Sequence, residues 1–158
     1  ATKSTPSVIS LSRQGLPCLR KDHTEQNLSA NGGYVLSNTN SQRDITLLAT
    51  GSEVALALEA GDLLMQEGIN AAVVSMPCME IFEAQKLEYR NKVLQPGVPV
   101  VVVEAAVEQS WGKYLGIDGK FVGMSTFGAS APGNDLFQHF GITVEKVKAA
   151  AKEVLSMN

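Results

Sequence analysis

At 158 residues the chain is long enough to bury one substantial core, and 44% hydrophobic against 18% charged residues excludes an intrinsically disordered chain. A net charge of −3 with no basic run argues against a nucleic-acid partner. The longest apolar run, Val98 to Val103, is interrupted by Pro99 and closed by Glu104, which is too short to span a membrane.

No basic-then-apolar leader opens the sequence, and Cys18 and Cys78 form no metal or redox motif. Reduced, buried thiols in a reducing cytoplasm are expected.

In chain order, Ser7 to Ser12 (SVISLS) has a strand pattern, yet no earlier element exists for it to pair with. Arg13 to Asn31 shows no helical or alternating period; so long a connection inside a compact domain points to a linker between two domains. Gly32-Gly33 opens a short strand, Tyr34 to Ser37, and Asn38 to Arg43 reads as a hairpin-like loop. Such a short link makes the Tyr34 strand antiparallel to the next one.

Asp44 to Gly68 carries the organising unit. Ile45 to Ala49 is an apolar run of the length expected for a strand covered on both faces. After a Gly51 turn, Val54, Leu58, Gly61 and Met65, with Leu64 beside them, recur at helical spacing. Thr50-Gly51-Ser52-Glu53 fits a capping box, with Thr50 accepting from the Glu53 amide and the Glu53 side chain reaching back.

Ile69 to Met76 then reads as a buried strand, Phe82 to Leu94 as a helix, and Val98 to Ala106 as the most β-branched strand. A helical turn over Trp111 to Leu115 and a strand over Lys120 to Thr126 follow. Asn134 to Phe140 reads as a short helix, and a last one is capped by Thr143. Val144, Val147, Ala151, Val154 and Leu155 give that helix its apolar face. Alternation of this kind predicts an α/β fold with a mainly parallel sheet between two helical layers.

Few residues stand out as candidates for chemistry. The Gly51 turn has one glycine and no phosphate-loop lysine, and Glu53 already supplies negative charge to the helix start, so a structural role is preferred. Glu104 ends the Val-rich strand, where ligands of open α/β sheets gather, with Glu108 and Trp111 just beyond; it reads as a strand-end carboxylate or one paired at an interface. His23 and His139 lack partners at metal-ligand spacing. Arg13 follows a strand-like end in SRQ, where its fork suits a phosphate or a carboxylate, although a lone exposed arginine is commonly a surface charge.

Several segments, in order, resemble the transketolase family: LSRQGLP (Leu11 to Pro17), GGYVL (Gly32 to Leu36), LLATGSEV (Leu47 to Val54), VVSMP (Val73 to Pro77), VVVEAA, WGKYLGIDG and GMSTFGASAP (Gly123 to Pro132). Deoxyxylulose-phosphate synthase and the 2-oxoacid dehydrogenase E1 β chain share the domain type, but the SRQ-to-GGY and FGASAP wording is nearer transketolase. Gly15 departs from the family's usual Asn or Lys, and Arg20 to Asn31 follows no family wording.

The resemblance implies a three-layer αβα domain with a mixed five-stranded sheet, four strands parallel and one antiparallel. Residues 1–12 would be the tail of a preceding pyrimidine-binding domain, 13–31 an interdomain linker, and 32–158 the carboxyl-terminal domain. It implies a homodimeric enzyme moving a two-carbon ketol unit between sugar phosphates, with thiamine diphosphate and Mg or Ca. Those cofactor and catalytic sites would lie in preceding domains, so none is expected here. The one substrate contact that carries over is Arg13, matching the family's phosphate-binding SRQ arginine. A stand-alone module sensing a small anion near Gly51 and Glu104 is the alternative from another class.

Overall fold

The computed structural model describes residues 4, 6–38 and 42–157. Residues 39–41 of the expected hairpin-like loop lie outside them. Five strands, β1 (Tyr34–Ser37), β2 (Ile45–Ala49), β3 (Ala71–Ser75), β4 (Val100–Val107) and β5 (Lys120–Met124), form one sheet in the order β1-β3-β2-β4-β5. β3, β2, β4 and β5 are mutually parallel, and β1 runs antiparallel on β3. The expected mixed sheet of four parallel strands and one antiparallel strand is therefore present.

The hairpin reading is corrected. β1 has the expected direction but pairs with β3 rather than β2, so the loop between β1 and β2 passes over a strand position that a later segment fills.

Among the described residues six α-helices flank the sheet: α1 (Glu53–Gln66), α2 (Met79–Glu83), α3 (Leu87–Leu94), α4 (Gly112–Leu115), α5 (Gly133–Phe140) and α6 (Val144–Ser156). One core joins α1 and α6 to Ile45, Leu47, Val73, Val101 and Val103; the other packs Phe82, Trp111 and Tyr114 on Leu48, Val74 and Val102. Side chains of alternate parity along each strand serve opposite cores, as the pleat requires. Both faces are thus dry, which explains why β2 and β3 are apolar without alternation.

The expected helix over Phe82 to Leu94 is two helices. The first ends at Glu83 with Ala84 at its C-cap, and Lys86 (φ −56, ψ 144) precedes the second, in which Tyr89 meets Phe82 edge-on at 6.3 Å. On α1 the buried stripe is Val54, Ala57, Ala60, Gly61 and Leu64, whereas Met65 is exposed. Alanine and glycine, weak marks on a hydrophobicity scale, hold the face because the helix lies close on the sheet. A β-carbon at Gly61 would already stand 3.1 Å from Val73 Cγ2.

The expected strand over Ser7 to Ser12 is absent: those residues carry no strand, and Val8, Ile9 and Leu11 are more than four-fifths exposed. A strand pattern needs a sheet edge to complete it, and these residues pair with neither edge strand, β1 or β5. The cysteines are free thiols as expected but not buried, since Cys18 is exposed and Cys78 half-buried.

Candidate functional site

The chain leaves β2 for β3 on one side, then crosses back over β2 to reach β4 on the other. The reversal puts the switch point of the sheet between the carboxyl ends of β2 and β4, the usual ligand crevice of an open α/β fold. Gly51, in left-handed conformation (φ 56), turns the chain from β2 into α1, and Ala49 pairs with Val103 as the last register pair of β2 and β4. Glu53 and Glu104 therefore arrive at the same edge from two adjacent strands.

No capping box forms. The Glu53 amide bonds the Thr50 carbonyl at 3.3 Å, and the Glu53 carboxylate turns into the crevice. It accepts from Ser52 Oγ (3.1 Å), and its own amide and the Ala105 amide on β4 favour its charged form. An irregularity in β4 supplies that last donor: Val103 pairs with Val122 and Val107 with Met124, so β4 carries extra residues around Ala105. Glu53 is almost fully buried, and burial raises its pKa against the pull of these three donors.

Glu104 lies beside it with less support. Its Oε2 is buried and has no hydrogen-bond partner among the described residues. Burial first, then the neighbouring Glu53 charge, push its carboxyl up to about 7. Glu104 lies within β4 (Val100–Val107) rather than at its end, and its nearest electrostatic neighbour is a second acid. Reading Glu53 as a local helix-start charge missed that pairing. The signal in the sequence was an acid shortly after β2 and another within β4, which becomes informative once those strands are known to be adjacent.

Arg13 lies in a segment without helix or strand, exposed, on the wall of a cleft of about 700 Å³ at this carboxyl edge. Gln14, Ser52, Glu53, Ala105 and Gly133 share that wall. Among the described residues Arg13 has no ion pair. The fold brings Arg13 and Glu53 into one cleft; Glu104 stands beneath, next to Glu53.

His23 lines a separate open cleft with Arg20, Tyr34 and Gly51, in which the Arg20 guanidinium sits 5.7 Å from the Tyr34 ring centre. His139 packs edge-on against Phe140 at 4.8 Å in the last turn of α5. Among the described residues no three His, Cys, Asp or Glu side chains cluster as metal ligands, and no helix is long and apolar enough to cross a membrane.

A diphosphate does not fit the switch-point crevice as built. At the α1 start itself Glu53 and Glu104 place two acids, and the charged base of the cleft among the described residues, Arg13, lies on its wall. An anion there would meet repulsion rather than donors.

Residues 32–143 match the family model described as the transketolase-like TK C-terminal domain. A transketolase of Sinorhizobium medicae is 55% identical over 97% of this chain and 22% of its own length. Among solved structures, a transketolase from Leishmania mexicana is 44% identical with a TM-score of 0.75, covering 81% of this chain and 18% of that one. The H261F mutant of a Pichia stipitis transketolase is 37% identical with a TM-score of 0.80, covering 92% and 21%. The chain spans about a fifth of the length of the relatives it matches. By that collinear match and the shared sheet, the chain belongs to the transketolase-like C-terminal domain family.

Proposed function

We propose that this chain is the carboxyl-terminal domain of a larger enzyme that transfers a two-carbon ketol unit between sugar phosphates, and that Arg13 contacts the substrate phosphate. The observation that carries this reading is the guanidinium itself: exposed at a cleft on the carboxyl edge of the sheet, with no carboxylate among the described residues holding it. A guanidinium fork matches a phosphate bidentately, and a charged hydrogen bond of this kind outweighs a neutral one.

The same reading takes residues 1–12 as the end of a preceding pyrimidine-binding domain, 13–31 as the linker, and 32–158 as the domain proper. The exposed Val8, Ile9 and Leu11 support it, since a run of strand residues without a sheet gains its burial from another domain. Thiamine diphosphate and its Mg or Ca belong to the other domains, because the crevice here is filled by Glu53. The whole enzyme is a cytoplasmic homodimer on this reading, and the isolated chain is inactive.

Mixing this chain with ribose 5-phosphate, xylulose 5-phosphate, thiamine diphosphate and magnesium should give turnover no greater than a blank. Turnover well above it would sink the proposal. A stand-alone anion sensor at Gly51 and Glu104 is disfavoured by the two acids at that point; calorimetric binding of sugar phosphates or nucleotides at that crevice would restore it.

A further inference from the structure

Solvent-facing surface on this chain is charged elsewhere, as on the exposed side of α6, which carries Glu145, Lys146, Lys152 and Glu153. One face departs from that pattern. Residues 6–17 and 125–132 are exposed throughout, yet Arg13 is the one charged residue among them, in a chain that is 18% charged. The two segments belong together, because Arg13 and Gln14 line the cleft at the carboxyl edge with Gly128, Ala129, Ser130 and Ala131. Phe127, beside that wall in sequence, is 98% exposed and makes no ring contact among the described residues.

A lone exposed apolar residue needs no explanation; Ile117 is one, with Asp118 and Lys120 close behind it. Phe127, Val8, Ile9 and Leu11 are different, since they lie on two segments that share a cleft and exclude charge around them. Charge depletion with an aromatic residue and an arginine is the composition of an interface core.

We propose that this uncharged face is the seat of the preceding domain of the same polypeptide, with Phe127 as its apolar anchor and Arg13 as the one charge left open to a ligand within the joint. On the reading of residues 1–12 given above, on which this rests, the chain enters the face from that domain. The relatives, of whose length this chain spans about a fifth, have room for one.

Hydrogen exchange, followed by mass spectrometry on this chain alone and on the full-length enzyme containing it, tests the seat. The amides of residues 126–131 find no backbone acceptor among the described residues, so they should exchange fast in the isolated chain. In the full-length enzyme they should exchange roughly tenfold or more slowly. Phe127→Ser should return them toward the isolated-chain rate, whereas Phe127→Leu and Ile117→Ser should keep the protection. In the isolated chain Phe127→Ser should leave the urea midpoint unmoved, because the ring is not buried there. Equal exchange in chain and enzyme would overturn the seat. Protection that survives Phe127→Ser, an equal loss from Ile117→Ser, or a lowered urea midpoint would overturn the anchor. If the purified chain dimerises and Phe127→Ser makes it monomeric, the occupant is a second copy and the preceding domain is the wrong one. No readout here uses activity, so Arg13→Ala kinetics judge the substrate reading separately: failure of either leaves the other standing.

Discussion

The Glu53 carboxylate at the start of α1 faces the Ala105 amide on β4, which favours its charged form and so relates the two elements that flank the reversal of strand order. In a nucleotide-binding relative of this architecture a ligand phosphate would take such amides. Here a side chain stands there permanently, at the cost of burying an acid beside a second one.

Glu53→Ala should therefore be destabilising, since it removes the acceptor of the Ser52 hydroxyl and the charge that faces the Ala105 amide. Loss of a charge-assisted bond of this kind costs about 1–3 kcal/mol. Urea unfolding of the purified chain, read by circular dichroism, checks it; a midpoint equal to that of the unmodified chain would contradict the tie.

The Glu104 carboxyl has a distinct pH signature. Its folded pKa, about 7, lies above the ordinary value of 4.5, so between these the folded chain holds a proton that the unfolded chain has released. Stability from this group is complete below about 4.5 and is lost as pH rises through about 7. Glu53, raised in the same sense, adds to the decline. Glu67, Glu80, Glu83 and Glu145 are lowered by their donors and act oppositely, contributing above their ordinary value and losing it as acid is added. Glu104→Gln should flatten the fall in thermal midpoint between pH 5 and pH 7 while leaving the acid limb intact. A slope unchanged by the substitution would assign the titration elsewhere.

Gly32 explains the first letter of the GGY motif. Its φ is +79, and a β-carbon there would lie 2.3 Å from the Phe82 amide nitrogen and 2.4 Å from the Cys78 carbonyl oxygen. Both obstacles are backbone, so neither can rotate away. Gly32→Ala should cost more than about 2 kcal/mol from strain and displacement of α2, visible as a lowered unfolding midpoint or as insoluble protein.

Arg13→Ala in the full-length enzyme should leave the fold untouched and lower kcat/KM for phosphorylated substrates about tenfold or more, the consequence of losing at least about 1.5 kcal/mol of charged hydrogen bonding. Equal kcat/KM in the variant would remove Arg13 from the substrate site.

A fifth test concerns Arg43, which is buried at the opposite end of β2 and donates to the Val93 carbonyl (2.9 Å), Thr46 Oγ1 (3.3 Å) and Asn38 Oδ1 (3.3 Å). Nothing local marked it as more than a loop charge. Arg43→Ala leaves the Val93 carbonyl unanswered in the interior and should lower stability by about 2–4 kcal/mol, measured in the same urea titration.

What the sequence by itself determined is what depends on neighbours along the chain. Apolar runs announced β2, β3 and β4; Thr143 announced α6, whose Lys146 amide it caps at 3.3 Å; and a short link made β1 antiparallel. Periodicity and caps are encoded within a few residues, so they can be read there. Tertiary structure decided what depends on pairing between distant segments. β3 took the place beside β1, small residues at Ala57, Ala60 and Gly61 became the buried face of α1, and the extra residues in β4 released the Ala105 amide. Glu53 illustrates the divide: as a letter it is a helix-start acid. It became a plug in the switch-point crevice because strand order set β4 beside β2, and no local rule encodes which strand will be adjacent.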